Sequence, residues 1–254
     1  MWAQVLQAPT NLSKGGLVMY QAIAQAIIKS IMADEYPTKL PTEKVLMAQY
    51  NASRNTIRKA IDVVFRHGLL RRVQGSGNFI IKQPQNTKKV LNLSIGFDQS
   101  AMVEGGPLVS KVVTFDKVTA DETLAQQGNI ALGDEVYRVV RLRYLNDILY
   151  DLEESYFPRT VVPFLSSESV QHSIFAFLRE AYGITGSTTE NYVHQVRVDA
   201  QRAELIGCPD GDKTLCLEAI NYLANGTVFN FSRTFFVYPD LELYYHTENI
   251  DLQN

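Results

Sequence analysis

Cysteine is scarce and every familiar cofactor motif is missing. Cys208 and Cys216 stand seven residues apart, without the Cys-x-x-Cys spacing of a zinc half-site, and the histidines at 67, 172, 194 and 246 are scattered. Reduced, partly buried cysteines are expected, and no metal site. Neither a Gly-x-Ser-x-Gly elbow nor a phosphate loop occurs, and no nucleophile–base pair stands out, so no catalytic residue and no cofactor are expected. No apolar run reaches the roughly 18 residues that span a bilayer. Residues 1–16 lack both the cationic start and the apolar stretch of a signal peptide and fit no element. A cytoplasmic location without a membrane partner follows as the expectation.

What is present is divided unevenly. Residues 1–89 hold thirteen Lys and Arg against four Asp and Glu, a charge of +9, whereas the remainder carries −12. The whole-chain charge of −3 hides a basic part suited to a polyanion and an acidic part with another task. A chain of 254 residues, 46% hydrophobic, can bury more than one core. Residues 82–89 show no apolar period and read as a linker, so the expected domains are 1–81 and 90–254.

Residues 40–80 are the most specific stretch. Thr42 caps a helix that runs to about Tyr50, and Ser53 caps a second helix. In the second, Ile57, Ala60, Ile61, Val64 and Phe65 recur at the spacing of a buried stripe, and Gly68 sits where the chain turns left-handed. Arg54, Asn55, Arg58 and Lys59 occupy the other face near its start, the end that a recognition helix presents to a major groove. Arg54 and Arg58 are four apart and repel each other, a tension that an anionic partner would relieve. Beyond Gly68, strands over 69–73 and 78–81 flank Gln74-Gly75-Ser76-Gly77, a hairpin wing with Arg71 and Arg72 beside it.

These features, with Tyr20, Ile23, Ile27 and Ile31 on a preceding helix, Leu40-Pro41-Thr42-Glu43, and Arg72-Val73-Gln74-Gly75-Ser76-Gly77-Asn78-Phe79, resemble the winged helix-turn-helix of the GntR family of bacterial transcription regulators. The resemblance covers about a third of the chain. It implies that Lys44, Arg54, Arg58 and Arg72 serve DNA binding, that Ser53, Asn55 and Thr56 fix phosphates or bases at the start of the second helix, and that Gln74 and Gly75 reach the minor groove.

Past the linker, strand-like runs over 112–118, 136–145, 148–157, 188–198, 215–223, 228–237 and 241–246 alternate with helical segments over 121–127, 173–181 and 200–206. Asn146-Asp147 and Asn225-Gly226 mark hairpin turns. The expectation is an α+β fold: a mostly antiparallel sheet with helices on one side. Strand alternation puts Arg141 and Arg143 on one face. A two-residue turn pairs position 143 with 150 and sends Asp151 and Glu153 to the other face; a three-residue turn pairs 143 with 151 and sets both acids beside both arginines.

The runs Val139-Val140-Arg141-Leu142-Arg143-Tyr144, Glu153-Glu154-Ser155-Tyr156-Phe157-Pro158 and Phe231-Ser232-Arg233-Thr234-Phe235-Phe236 resemble the UTRA effector domain of the HutC branch, whose fold is similar to that of chorismate lyases. The resemblance favours the arrangement with the acids beside the arginines and implies an effector pocket containing Arg141, Arg143 and Glu153. It adds Ser110 and Lys111 for an anionic group, often phosphate, and Glu190 from another strand. Asn230 and Phe236 stand where the family often has an acid and a tyrosine, so one charge and one hydroxyl are missing. The implied protein is a homodimeric regulator, a repressor of a metabolic operon, that binds an inverted-repeat DNA operator and answers to a small-molecule effector, with sugar phosphate the first choice. Two other readings predict differently: lyase chemistry in the acidic domain predicts turnover, and nonspecific nucleic-acid packaging predicts no sequence preference.

Overall fold

The computed structural model describes residues 19–81, 89–92, 108–238 and 241–244. The expected arm at 1–16 and residues 82–88 of the expected linker lie outside these. Two compact units emerge, one running to Glu104 and resuming at Asp240, the other comprising Gly105–Pro239.

In the first unit, helix α1 (Met19–Met32) buries Ile23, Ala24 and Ile27 against helices α2 (Glu43–Tyr50) and α3 (Arg54–Arg66). The capping residues act as their types require: Thr42 accepts from the amide of Val45, and Ser53 from that of Thr56. Ile57, Ala60, Ile61 and Val64 fill the core from α3. Gly68 takes φ +69°, its amide returning to Phe65 O at 2.8 Å and that of Leu69 to Val64 O at 3.4 Å. That reversal points the chain into the wing, strands β1 (Leu70–Val73) and β2 (Gly77–Ile80), paired antiparallel. Residues 38–40 add a third line of hydrogen bonds, Leu40 N to Asn78 O and Ile80 N to Thr38 O, each at 2.9 Å.

The first unit also holds a parallel two-stranded ribbon, β3 (Lys89–Asn92) beside β10 (Leu241–Tyr244). The boundaries 1–81, 82–89 and 90–254 expected from composition therefore differ from the compact units. Lys89 is already strand, and the last expected strand leaves the acidic sheet to pair near the linker.

The second unit is one six-stranded antiparallel sheet in the order β4-β5-β6-β9-β8-β7: β4 (Val109–Thr119), β5 (Glu135–Leu145), β6 (Ile148–Pro158), β7 (Thr188–Arg197), β8 (Lys213–Tyr222) and β9 (Val228–Phe236). Helix α4 (Glu122–Gly128) follows β4, α5 (Ile174–Tyr182) follows β6, and α6 (Ala200–Ile206) follows β7. Helices cover both faces, not one. Ile174 and Leu178 of α5 pack with Tyr137, Val139 and Phe157, whereas Leu205 and Ile206 of α6 pack with Val140, Leu142 and Leu152. Central strands carry apolar side chains on both faces, which a one-sided alternation cannot report. No described helix is long and apolar enough to cross a membrane.

Replacing Gly68 with alanine forces a side chain into the left-handed region, a cost of about 1–2 kcal/mol. The Gly68→Ala chain should unfold its first unit at lower denaturant in chemical denaturation, and Gly68→Asn should lose less; equal midpoints for all three would refute the role given to this residue.

Candidate nucleic-acid interface and effector site

The polar face of α3 is built from its first turn. Ser53 Oγ lies 3.2 Å from the amide nitrogen of Thr56 and 2.8 Å from its hydroxyl, while Asn55 is exposed beside them. Arg54 and Arg58 extend over the same side, their side chains 67% and 62% exposed. Each directs Nε to one oxygen of Glu43, at 3.1 and 2.8 Å. The mutual repulsion expected of them is thus relieved inside the protein, by the first residue of α2. Such exposed pairs are weak, so a phosphate or base edge can replace the carboxylate.

Arg72 is held differently. It pairs with Asp62 and lies over the Phe65 ring at 4.3 Å, which turns it toward α3. Lys44 is exposed on α2, and Gln74 and Gly75 are exposed at the wing tip. Between α3 and the wing runs a groove of about 490 Å³ whose walls include Glu43, Arg58, Arg72, Gln74 and Asn78. Sequence reasoning missed Lys39, which stretches over Phe79 at 5.4 Å and passes so close to Gly77 that an added Cβ would meet its Cε at 2.9 Å. The only local sign was a cation in the extended residues before Leu40.

In the acidic unit the turn between β5 and β6 follows neither expected geometry in full. Asn146 and Asp147 form a two-residue turn, both at positive φ, and Leu145 pairs with Ile148. Tyr150 is then an extra residue, so Tyr144 faces Leu149 and Arg143 faces Asp151. The bulge produces the register that a three-residue turn would have given, and Arg141, Arg143, Asp151 and Glu153 share one face.

They form a dry network. Arg141 donates from Nε and Nη2 to Glu153 Oε2 at 2.8 and 2.5 Å, and from Nη1 to the carbonyls of His172 at 3.0 Å and Val170 at 3.4 Å. Arg143 reaches Asp151 Oδ1 at 2.7 Å and Glu153 Oε1 at 3.1 Å. Arg143 is 3% exposed and Asp151 is fully buried. Burial pushes the Asp151 carboxyl up to about 7 against the pull of Arg143. Burial acts on Glu153 in the same sense, but Arg141 and Arg143 together outweigh it and hold that carboxyl below its ordinary range.

Other expected effector residues divide between the faces. Ser110 pairs with Arg143, and Phe236 with Asp151, so both border the network. Asn230 is on that face too, but its amide already donates to Tyr156 O and accepts from Asn221 at 2.8 Å. Lys111 pairs with Leu142 and is exposed on the reverse face. Glu190 also lies there, beside Ile220, and accepts from the Tyr192 hydroxyl at 3.1 Å. A depression of about 280 Å³ on that side is lined by Gln126, Tyr192, Glu218, Phe231 and Arg233. Lys111 and Glu190 are therefore not brought to the arginine network.

His194, Cys216 and Glu218 also approach one another on the reverse face, their ligand atoms within 4.8 Å. Arg233 Nε sits 3.0 Å from Glu218 Oε1, and burial pushes the Cys216 thiol up to about 11. A guanidinium at the carboxylate and a protonated thiol both disfavour a cation.

The folded Asp151 carboxyl binds its proton more tightly than the unfolded one at 3.8, so its stabilisation is complete below about pH 4 and is lost as pH climbs through 7. Glu153 works in the opposite sense, but at pH values below its ordinary 4.5. Calorimetry at pH 5 and pH 8 should show a larger drop in Tm for the wild-type chain than for Asp151→Asn; parallel drops would rule out a raised Asp151.

Comparison with known proteins agrees with both halves. Residues 19–80 match the model of bacterial regulatory proteins of the gntR family, and residues 104–239 match the UTRA domain. The uncharacterised HTH-type transcriptional regulator YydK of Bacillus subtilis is 31% identical over 224 residues, covering 87% of this chain and 94% of that protein. The solved structure of YydK superposes with a TM-score of 0.73 at 29% identity, covering 91% of this chain and all of that one. The mannosyl-D-glycerate transport/metabolism system repressor MngR of Escherichia coli is 27% identical over 220 residues, 86% of this chain and 91% of that protein. These relatives are named as transcription regulators, which favours a regulator over the lyase alternative. The chain belongs to the GntR family of bacterial transcription regulators, in the group whose winged helix-turn-helix is followed by a UTRA domain.

Proposed function

We propose that this regulator acts as a cytoplasmic homodimer of the HutC branch that represses a metabolic operon by binding an inverted-repeat operator, and that a small molecule held at the arginine network releases it. Two-fold symmetry supplies two recognition helices for two half-sites. Arg54 and Arg58 would exchange Glu43 for phosphates or guanine edges, Ser53, Asn55 and Thr56 would fix the helix start, and Gln74 and Gly75 would approach the minor groove, with Lys44, Lys39 and Arg72 adding backbone contacts. The repressor named MngR, and the N-terminal and UTRA matches together, support this reading.

The observation that carries the effector half is the burial of the four-charge network. Replacing such a cluster with apolar residues is often neutral or stabilising, so a buried network of this kind is better accounted for by recognition than by stability. Two guanidinium groups with two carboxylates suit a ligand bearing an anionic end and hydroxyl groups, for which sugar phosphate remains the first choice. An arriving anion raises the Asp151 carboxyl further, so binding takes up a proton. Ser110 and Phe236 border that space; Lys111, Glu190 and Asn230 take part only if the face or hydrogen bonds they use here change.

On its operator duplex, Arg58→Ala should weaken binding about 10- to 100-fold, as loss of a base-reading arginine does, and relax sequence preference at one base pair. A uniform loss across sequences would assign Arg58 to the phosphates instead. Arg143→Ala leaves Asp151 without its main partner, a loss of about 3–5 kcal/mol. The double variant Arg143→Leu/Asp151→Leu should recover most of that stability in calorimetry while hexose 6-phosphates no longer release the operator. Retained release by the double variant would remove the network from the effector site.

A further inference from the structure

The described strands of the ribbon are short. Among the described residues, β3 and β10 form four register pairs, Leu241 with Lys89 through Tyr244 with Asn92. A two-stranded ribbon is marginal by itself in water. It gains an anchor from one side chain. The Tyr244 hydroxyl donates to the carbonyl of Gly68 at 3.1 Å, 176 residues away in the chain.

Gly68 is where α3 ends and the wing begins, and its left-handed backbone places that carbonyl outside the helix hydrogen-bond series. The phenol therefore grips the recognition helix at the end opposite Ser53. The ribbon, in turn, carries both crossings of the chain between the two units. β3 precedes β4 in sequence, β10 follows β9, and the match to the UTRA domain stops at 239, just before β10. Lys89, the last residue of the expected linker, is thus paired with Leu241 of the C-terminal segment.

From this we propose that Tyr244 is a positioning residue: its bond to Gly68 fixes the recognition helix on the ribbon, so that both crossings of the chain orient the DNA-reading head. The inference rests on the dimeric operator-binding reading, because orientation matters only when two heads must meet two half-sites at once. Fixing each head beforehand reduces the ordering cost of the second contact and raises its effective concentration. A single half-site makes no such demand.

The test uses the full chain and the Tyr244→Phe variant, which removes one oxygen and keeps the ring. Affinity is measured for the inverted-repeat duplex and for a duplex with one half-site, and hydrogen exchange is followed at residues 89–92. The expected result is binding to the repeat weakened about five- to ten-fold, the size of one net hydrogen bond, with half-site affinity unchanged. Exchange at 89–92 should quicken several-fold while that of 108–238 stays as in wild type. An unchanged repeat affinity, an equal loss on both duplexes, or unchanged exchange at 89–92 overturns the proposal. Wild-type protein that binds the repeat no better than the half-site would instead overturn the dimeric reading, and the exchange at 89–92 then decides the tie by itself.

Discussion

The acidic domain turns on one interaction, the buried cross-strand network of Arg141 and Arg143 with Asp151 and Glu153. Charges this dry are expensive unless every one is matched. Matching requires the register of β5 and β6, that register requires the bulge at Tyr150, and the carbonyls of Val170 and His172 must close over Arg141. The network thus ties the central hairpin to the segment that covers it. It is also uneven: two guanidinium groups hold the Glu153 carboxyl below its ordinary range, whereas burial pushes the Asp151 carboxyl up. The two carboxylates are therefore shifted in opposite directions within one network.

The DNA-reading half solves a different problem. Its charges are exposed and individually weak, and their value depends on placement. Glu43 gathers Arg54 and Arg58, Asp62 and Phe65 gather Arg72, and the wing is propped from behind by residues 38–40. In the proposed complex, phosphate oxygens would take the places that the carboxylates of Glu43 and Asp62 hold beside these arginines. The exchange of one anion for another costs less reorganisation than ordering free side chains would.

How much was legible follows from the range of each signal. Caps at Thr42 and Ser53, the 3.6-residue stripe of α3, the left-handed Gly68 and the Asn146-Asp147 and Asn225-Gly226 turns are local, and they stand where the residues said. Lys111 and Glu190 were carried by resemblance and lie on the face away from the arginine network, since one residue of register decides the side of a strand. The Tyr150 bulge, the helices on both faces and the pairing of β3 with β10 depend on partners far along the chain, and no local pattern announces them. Glu43 looked like an ordinary first-turn acid; its role as a bridge appears only once α2 and α3 are packed.

The most direct test of the whole account is selection of bound duplexes from a random DNA pool by the full chain, at about 0.15 M salt where screening trims nonspecific backbone binding, with and without a mixture of hexose 6-phosphates. Enrichment of an inverted repeat that is lost when the sugar phosphates are present is the predicted result. Recovery of unenriched sequence in both arms would contradict a sequence-specific, effector-controlled regulator, and enrichment that the mixture leaves untouched would contradict the choice of sugar phosphate alone.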